Sequence, residues 1–144
     1  MGADLYPPAH PCGPPTLHVI LENGEAVGEA RRLVRAFIAD VRSTVESPVS
    51  DSTTELIELV VSELATNAYK YAPGPSRLNM EVHNGLVEVS VWDSNPNPPA
   101  IMPPDPLRIG QHGLSIVLAV AHTFTIRREY AGKRITAAIA LTHS

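Results

Sequence analysis

Two runs of alternating residues that meet at Asn84-Gly85 constrain the fold of this chain more than any other feature. Leu78, Met80 and Val82 alternate with polar neighbours before the dipeptide, and Val87, Val89 and Val91 alternate after it, up to Trp92-Asp93. A period of two places each apolar set on one face of a strand. Asn-Gly favours the two positive-φ positions of a two-residue hairpin turn. The segment therefore reads as an antiparallel hairpin with one apolar face, which other elements must cover.

Helical periodicity supplies the cover. From Glu25 to about Ser43, Val27, Ala30, Leu33, Val34, Phe37, Ile38 and Val41 recur at helical spacing, with Arg31, Arg32, Arg35 and Asp40 mostly outside the stripe. Pro48 breaks the chain, and Ser52-Thr53-Thr54-Glu55 has the form of a capping box opening a second helix. That helix runs to about Ala72, where Pro73-Gly74-Pro75 stops it. Ahead of both, Leu17-His18-Val19-Ile20-Leu21 is a short β-prone run closed by Asn23-Gly24.

After the hairpin, residues 94 to 109 form a Pro-dense stretch too long for a simple connection, and such loops are usually functional lids. Gly110-Gln111-His112-Gly113 then leads into the apolar helix Leu114 to Ala121. Phe124 to Glu129 and Ile135 to Leu141 read as a final hairpin turned at Ala131-Gly132-Lys133. The order predicts an α+β, two-layer sandwich: a mixed, mostly antiparallel sheet with three helices on one face, the second helix crossing the sheet's middle.

Composition excludes several classes. A net charge of −4 with scattered basic residues gives no electrostatic footprint for direct nucleic-acid binding. No apolar run approaches the ~20 residues of a membrane span and the N-terminus lacks a signal-peptide pattern, so a cytoplasmic location is expected. Residues 1–16, rich in proline, read as a disordered tail ahead of a single domain over 17–144. The single cysteine, Cys12, has no internal partner, and with His10 and His18 it shows no metal-ligand spacing.

Polar chemistry interrupts the second helix. Glu63, Asn67 and Lys70 share one stripe beside the apolar arc of Ile57, Val60, Val61, Leu64 and Ala68. A carboxylate and a carboxamide one turn apart can orient a hydroxyl and give oxygen to a hard cation such as Mg2+. Taken alone, the same stripe reads more simply as a solvated helix face, with Asn67 a tolerated surface residue. Asp93, at a strand end, can accept a hydrogen bond from an exocyclic amino group, or simply form a turn before Ser-Asn-Pro. Gly113 at a helix start makes either a phosphate site or a compatible turn.

Together, Glu63-Leu-Ala-Thr-Asn67-Ala-Tyr-Lys-Tyr71-Ala, Asp93-Ser-Asn-Pro and Gly110-Gln-His-Gly113-Leu-Ser-Ile-Val resemble the N box and two glycine boxes of the Bergerat-fold ATPases. More narrowly, the chain resembles the anti-sigma-factor serine/threonine kinases, stand-alone histidine-kinase-like ATPase domains. The resemblance implies ATP and Mg2+ as ligands and Glu63 as the catalytic base. For nucleotide it implies Asn67, Lys70, Asp93, Asn95, Gly110, His112, Gly113 and Leu114, with Asn67 also the metal ligand. Three positions depart from the usual pattern: Ser94-Asn95-Pro96 stands where glycines follow the aspartate, His112 lies in the second glycine turn, and Tyr71 replaces a common histidine.

The implied function is an ATP-binding regulator that phosphorylates a serine of an anti-anti-sigma protein and, in its other state, sequesters a sigma factor. ATP or ADP would select the partner. The Arg31, Arg32 and Arg35 face offers charge to an acidic partner surface, and the resemblance leaves room for a homodimer. The altered residues after Asp93 keep a second reading open, a non-catalytic interaction module of the same fold.

Overall fold

The structure, a computed structural model, describes residues 16–22, 26–44, 49–72, 74–97 and 113–141. The tail over 1–15 and the loop over 98–112, including Gly110 and His112, lie outside the described residues. In chain order the elements are β1 (Thr16–Leu21), α1 (Ala26–Thr44), α2 (Asp51–Tyr71), β2 (Ser76–His83), β3 (Leu86–Asp93), α3 (Gly113–Val120), β4 (Thr123–Glu129) and β5 (Gly132–Ala140). β1 begins at Thr16, one residue inside the stretch read as tail.

The Asn84-Gly85 hairpin forms as its pattern requires. Asn84 and Gly85 have φ of 54° and 75°, both in the left-handed region, and His83 pairs with Leu86 across the turn. β2 and β3 bury Leu78, Met80, Val82, Val87, Val89 and Val91 on a shared face. The sheet order is β1-β2-β3-β5-β4 and every pairing among the described residues is antiparallel, which corrects the expected mixture. β1 and β2, joined through α1 and α2, are antiparallel neighbours, whereas β3 and β4, joined through α3, run in the same direction with β5 inserted between them.

α2 spans the middle of the inner face, touching β2, β3 and β5, with α1 and α3 on either side of it. Ile57, Val60, Val61 and Leu64 from α2 are at most 1% exposed and meet the β2–β3 valines. Each such side chain contributes about 1.5–3 kcal/mol by leaving water. The helix starts two residues before the expected box: Ser50 is the N-cap, its Oγ accepting from Thr53 N at 3.1 Å. Ser52 and Thr53 are thereby inside the first turn.

Charge ties α1 to α2. Arg35 Nε donates to the buried carboxylate of Glu58 at 2.8 Å, and Arg42 Nη2 reaches Asp51 and Thr54 at 3.0 Å. The hydrogen bond to Glu58, then its charge, raise the Arg35 pKa above an already high ordinary value. A raised folded-state pKa gives stability that is complete below the unfolded value and lost only as pH climbs through the folded one. That window lies in strong alkali, so the tie holds throughout the physiological range. Arg32 pairs with Glu29, so two of the three arginines on the expected partner face are held intramolecularly.

Candidate functional site

The parity that buries Val87, Val89 and Val91 continues to Asp93, so the last residue of β3 turns its carboxylate toward the helix-covered side, 1% exposed. Directly across the ladder, β5 presents Lys133, also 1% exposed. Lys133 Nζ donates to Asp93 Oδ1 at 3.0 Å and to the Asn95 carbonyl at 3.0 Å. A buried carboxylate is tolerated only with such partners.

The backbone after Asp93 is shaped by side chains. Asn95 N donates to Asp93 Oδ1 at 2.9 Å, and Asn97 N donates to Asn95 Oδ1 at 3.0 Å. These are the turns that Asp and Asn make with backbone two residues on. Asn95 Nδ2 donates to the Tyr71 carbonyl at 2.9 Å. Tyr71 is the last residue of α2, where carbonyls lack helical partners. One amide thus joins the strand-end turn to the C-terminus of α2.

Glu63, Asn67 and Tyr71 step by four along α2, so the polar stripe runs toward that junction. Asn67 is 9% exposed and Glu63 half-buried, while Lys70 and Tyr71 are exposed. Asn67 Nδ2 is the buried side-chain atom left without a hydrogen-bond partner among the described residues. Such an orphan costs about 1–3 kcal/mol. Amide nitrogen and oxygen are assigned by their surroundings, so either end of this amide can face a ligand. An orphaned amide with a carboxylate one turn away suits a Mg2+-bound phosphate: the oxygen can ligate the cation, and the nitrogen can donate to phosphate.

α3 packs against α2, burying Leu114 and Val117, and Gly113 is its first residue. The expected site residues therefore fall into three places: Glu63, Asn67 and Lys70 on α2, Asp93 and Asn95 at the strand end, Gly113 and Leu114 at the start of α3. The structure joins the strand end to the last residue of α2 through the Asn95–Tyr71 bond and brings α3 against α2. Both ends of the Asn95 amide are engaged, the nitrogen with the Tyr71 carbonyl of α2 and the oxygen with Asn97 N inside the turn.

Sequence reading missed Lys133. The expected turn at Ala131-Gly132-Lys133 is in fact Tyr130-Ala131, with Ala131 at φ 61° and Gly132 paired to Glu129. Gly132 and Lys133 belong to β5. Ile135, Ala137 and Ile139 alternate inward, and extending that row back two residues places Lys133 inward as well. A cation in an inward register calls for a buried anion.

The sequence matches the histidine kinase-like ATPase domain family over residues 24–139. No curated protein matches it in sequence. The solved structure of the RsbU and RsbW domains of Rv1364c from Mycobacterium tuberculosis has a TM-score of 0.66 to this chain at 21% identity. It covers 90% of this chain, which spans only 33% of that one. The histidine kinase AdeS of Acinetobacter baumannii has a TM-score of 0.51 at 19% identity, over 88% of this chain and 68% of its own. At these identities the two structures establish the fold, a helix-covered sheet. The family match takes in the α2 stripe, the Asp93 turn and Lys133 alike, and so the chain belongs to the histidine kinase-like ATPase domain family.

Proposed function

We propose that this chain is an ATP-dependent anti-sigma regulator that phosphorylates a serine of an anti-anti-sigma protein and otherwise holds a sigma factor. The observation that carries the reading is the buried, orphaned Asn67 amide, one turn from Glu63 and joined through Tyr71 and Asn95 to the Asp93 turn. The RsbW domain in one solved relative agrees with it.

In this reading Asp93 accepts a hydrogen bond from the exocyclic amino group of adenine. Asn67 holds Mg2+ through its amide oxygen, and the first N–H groups of α3 receive phosphate oxygens. When bound, the cation neutralises charge on the transferring phosphoryl group. Glu63, half-buried on the same stripe, takes the proton of the partner's serine hydroxyl at a carboxylate oxygen. Lys70, exposed one turn beyond Asn67, adds positive charge near the phosphates. Partner selection by ATP against ADP requires a coupling of about 1–3 kcal/mol.

Calorimetric titration with ATP and ADP, with and without Mg2+, tests this. Mg2+-dependent binding is expected in the natural protein. Asp93→Asn keeps the volume and an oxygen for Lys133 but loses the charged acceptor, so ATP affinity should fall about 10- to 100-fold. Absence of binding up to millimolar nucleotide would contradict the proposal and favour the interaction module.

A further inference from the structure

Lys133 is buried, charged and placed against the residue assigned to adenine. Its Nζ lies 3.0 Å from Asp93 Oδ1 and 3.0 Å from the Asn95 carbonyl, and both ionic side chains are 2% exposed. A role in stability alone accounts poorly for this arrangement. A buried ion pair adds little over a packed apolar pair of similar volume. An apolar residue at 133 would extend the inward row of Ile135, Ala137 and Ile139.

Geometry gives the cation another use. Asp93 Oδ1 receives two donors, Lys133 Nζ from β5 and Asn95 N from the turn that follows β3. Two donors on one oxygen fix the rotation of the carboxylate, and the bond from Nζ to the Asn95 carbonyl fixes the turn that follows. β5 can deliver Lys133 there because Gly132 lets its backbone close on the Asp93 carbonyl.

Resting on the nucleotide reading above, we infer that Lys133 is the positioning residue for base selection. It clamps Asp93 Oδ1 so that Oδ2 is presented to the exocyclic amino group of a 6-aminopurine. A purine with a keto oxygen at that position then meets a fixed acceptor facing another acceptor. Lys133 acts through Asp93 and does not itself touch the nucleotide.

The test is a double-mutant cycle read as the ratio of ITP to ATP dissociation constants, since inosine carries the keto oxygen in place of the amino group. The natural protein is expected to prefer ATP about 10- to 100-fold, the range of one charge-assisted hydrogen bond. Lys133→Met and Asp93→Asn should each bring the ratio to within about threefold of unity, with ITP affinity little changed. The double variant, in which no buried charge is left unpaired, should show no further loss of selectivity. A merely structural lysine would weaken ATP and ITP together and leave the ratio intact. Lys133→Gln, which retains a donor without the charge, is measured alongside Lys133→Met. A folded Lys133→Met variant that keeps the natural preference for ATP overturns this inference while leaving the nucleotide site standing, as does a folded Lys133→Gln variant in which ATP and ITP weaken together. Failure of the natural protein to bind either nucleotide overturns the nucleotide reading itself and this inference with it.

Discussion

Replacing Glu63 by glutamine is expected to slow phosphoryl transfer by about 10²–10⁴-fold, the usual worth of a positioned general base, while ATP affinity stays within about threefold. Glutamine preserves the size of the side chain and its helix propensity, so α2 and its packing are unaffected. What it removes is a carboxylate able to take the hydroxyl proton. Glu63 sits one turn from Asn67 on the stripe that leads to the Asn95–Tyr71 junction. It is half-buried and thus near the expected phosphate without being sealed from a partner's serine. Single-turnover transfer from radiolabelled ATP to the proposed anti-anti-sigma partner, with calorimetry on the same preparations, separates the two effects. Equal transfer rates for both proteins would remove Glu63 from the chemistry.

Gly132→Ala should be the most destabilising single-methyl substitution at the described glycines. An ideal Cβ there would lie 1.9 Å from the Asp93 carbonyl oxygen and 3.0 Å from Trp92 Cε2. The nearer atom is backbone in a paired strand and cannot swing aside, so β5 must separate from β3 where Lys133 meets Asp93. Overpacking of this kind costs about 3 kcal/mol, which in a domain of this size lowers Tm by roughly 6–12 °C. Gly28→Ala is the control: nothing lies within 4 Å of its Cβ position, on the exposed face of α1. It should leave Tm unchanged or raise it slightly, because alanine favours helix. Differential scanning calorimetry of both variants decides the point; an unperturbed Tm for Gly132→Ala would mean that β5 does not approach the Asp93 carbonyl as described.

Local chemistry was the readable part of this fold. Asn84-Gly85 and the valines around it determined a hairpin and its register, because a slip of one residue would turn every valine to the open face. α1 and α2 were legible from helical spacing, although the Ser50 cap was not separable from the box-like Ser52-Thr53-Thr54-Glu55 two residues later. The site was half legible. Glu63, Asn67 and Asp93 carry polar chemistry where the pattern calls for packing, and the Asn95–Tyr71 bond ties the Asp93 turn to the end of the helix that carries the first two. The partners of Asp93 were hidden, since Lys133 lies 40 residues away and its strand register depended on where the last turn falls.

The stretch Ser94-Asn95-Pro96 shows the same limit. By sequence it replaces flexible glycines with residues that stiffen the backbone. In the structure Asn95 bonds to Tyr71, 24 residues away, and to Asn97, so the turn is held by side chains instead. No local rule reports a bond to the end of a distant helix. The setting of the Asp93 carboxylate and the order of this turn are therefore properties of the tertiary fold, set by β5 and α2 together.

The most direct test of the nucleotide site is a crystal structure of the protein with Mg2+ and a non-hydrolysable ATP analogue. The account predicts the adenine amino group within hydrogen-bond distance of the Asp93 carboxylate, Mg2+ on the amide oxygen of Asn67, and Glu63 on the side of the terminal phosphate open to a partner. Nucleotide bound elsewhere, or a base placed away from Asp93 with Asn67 making no contact to cation or phosphate, would contradict it.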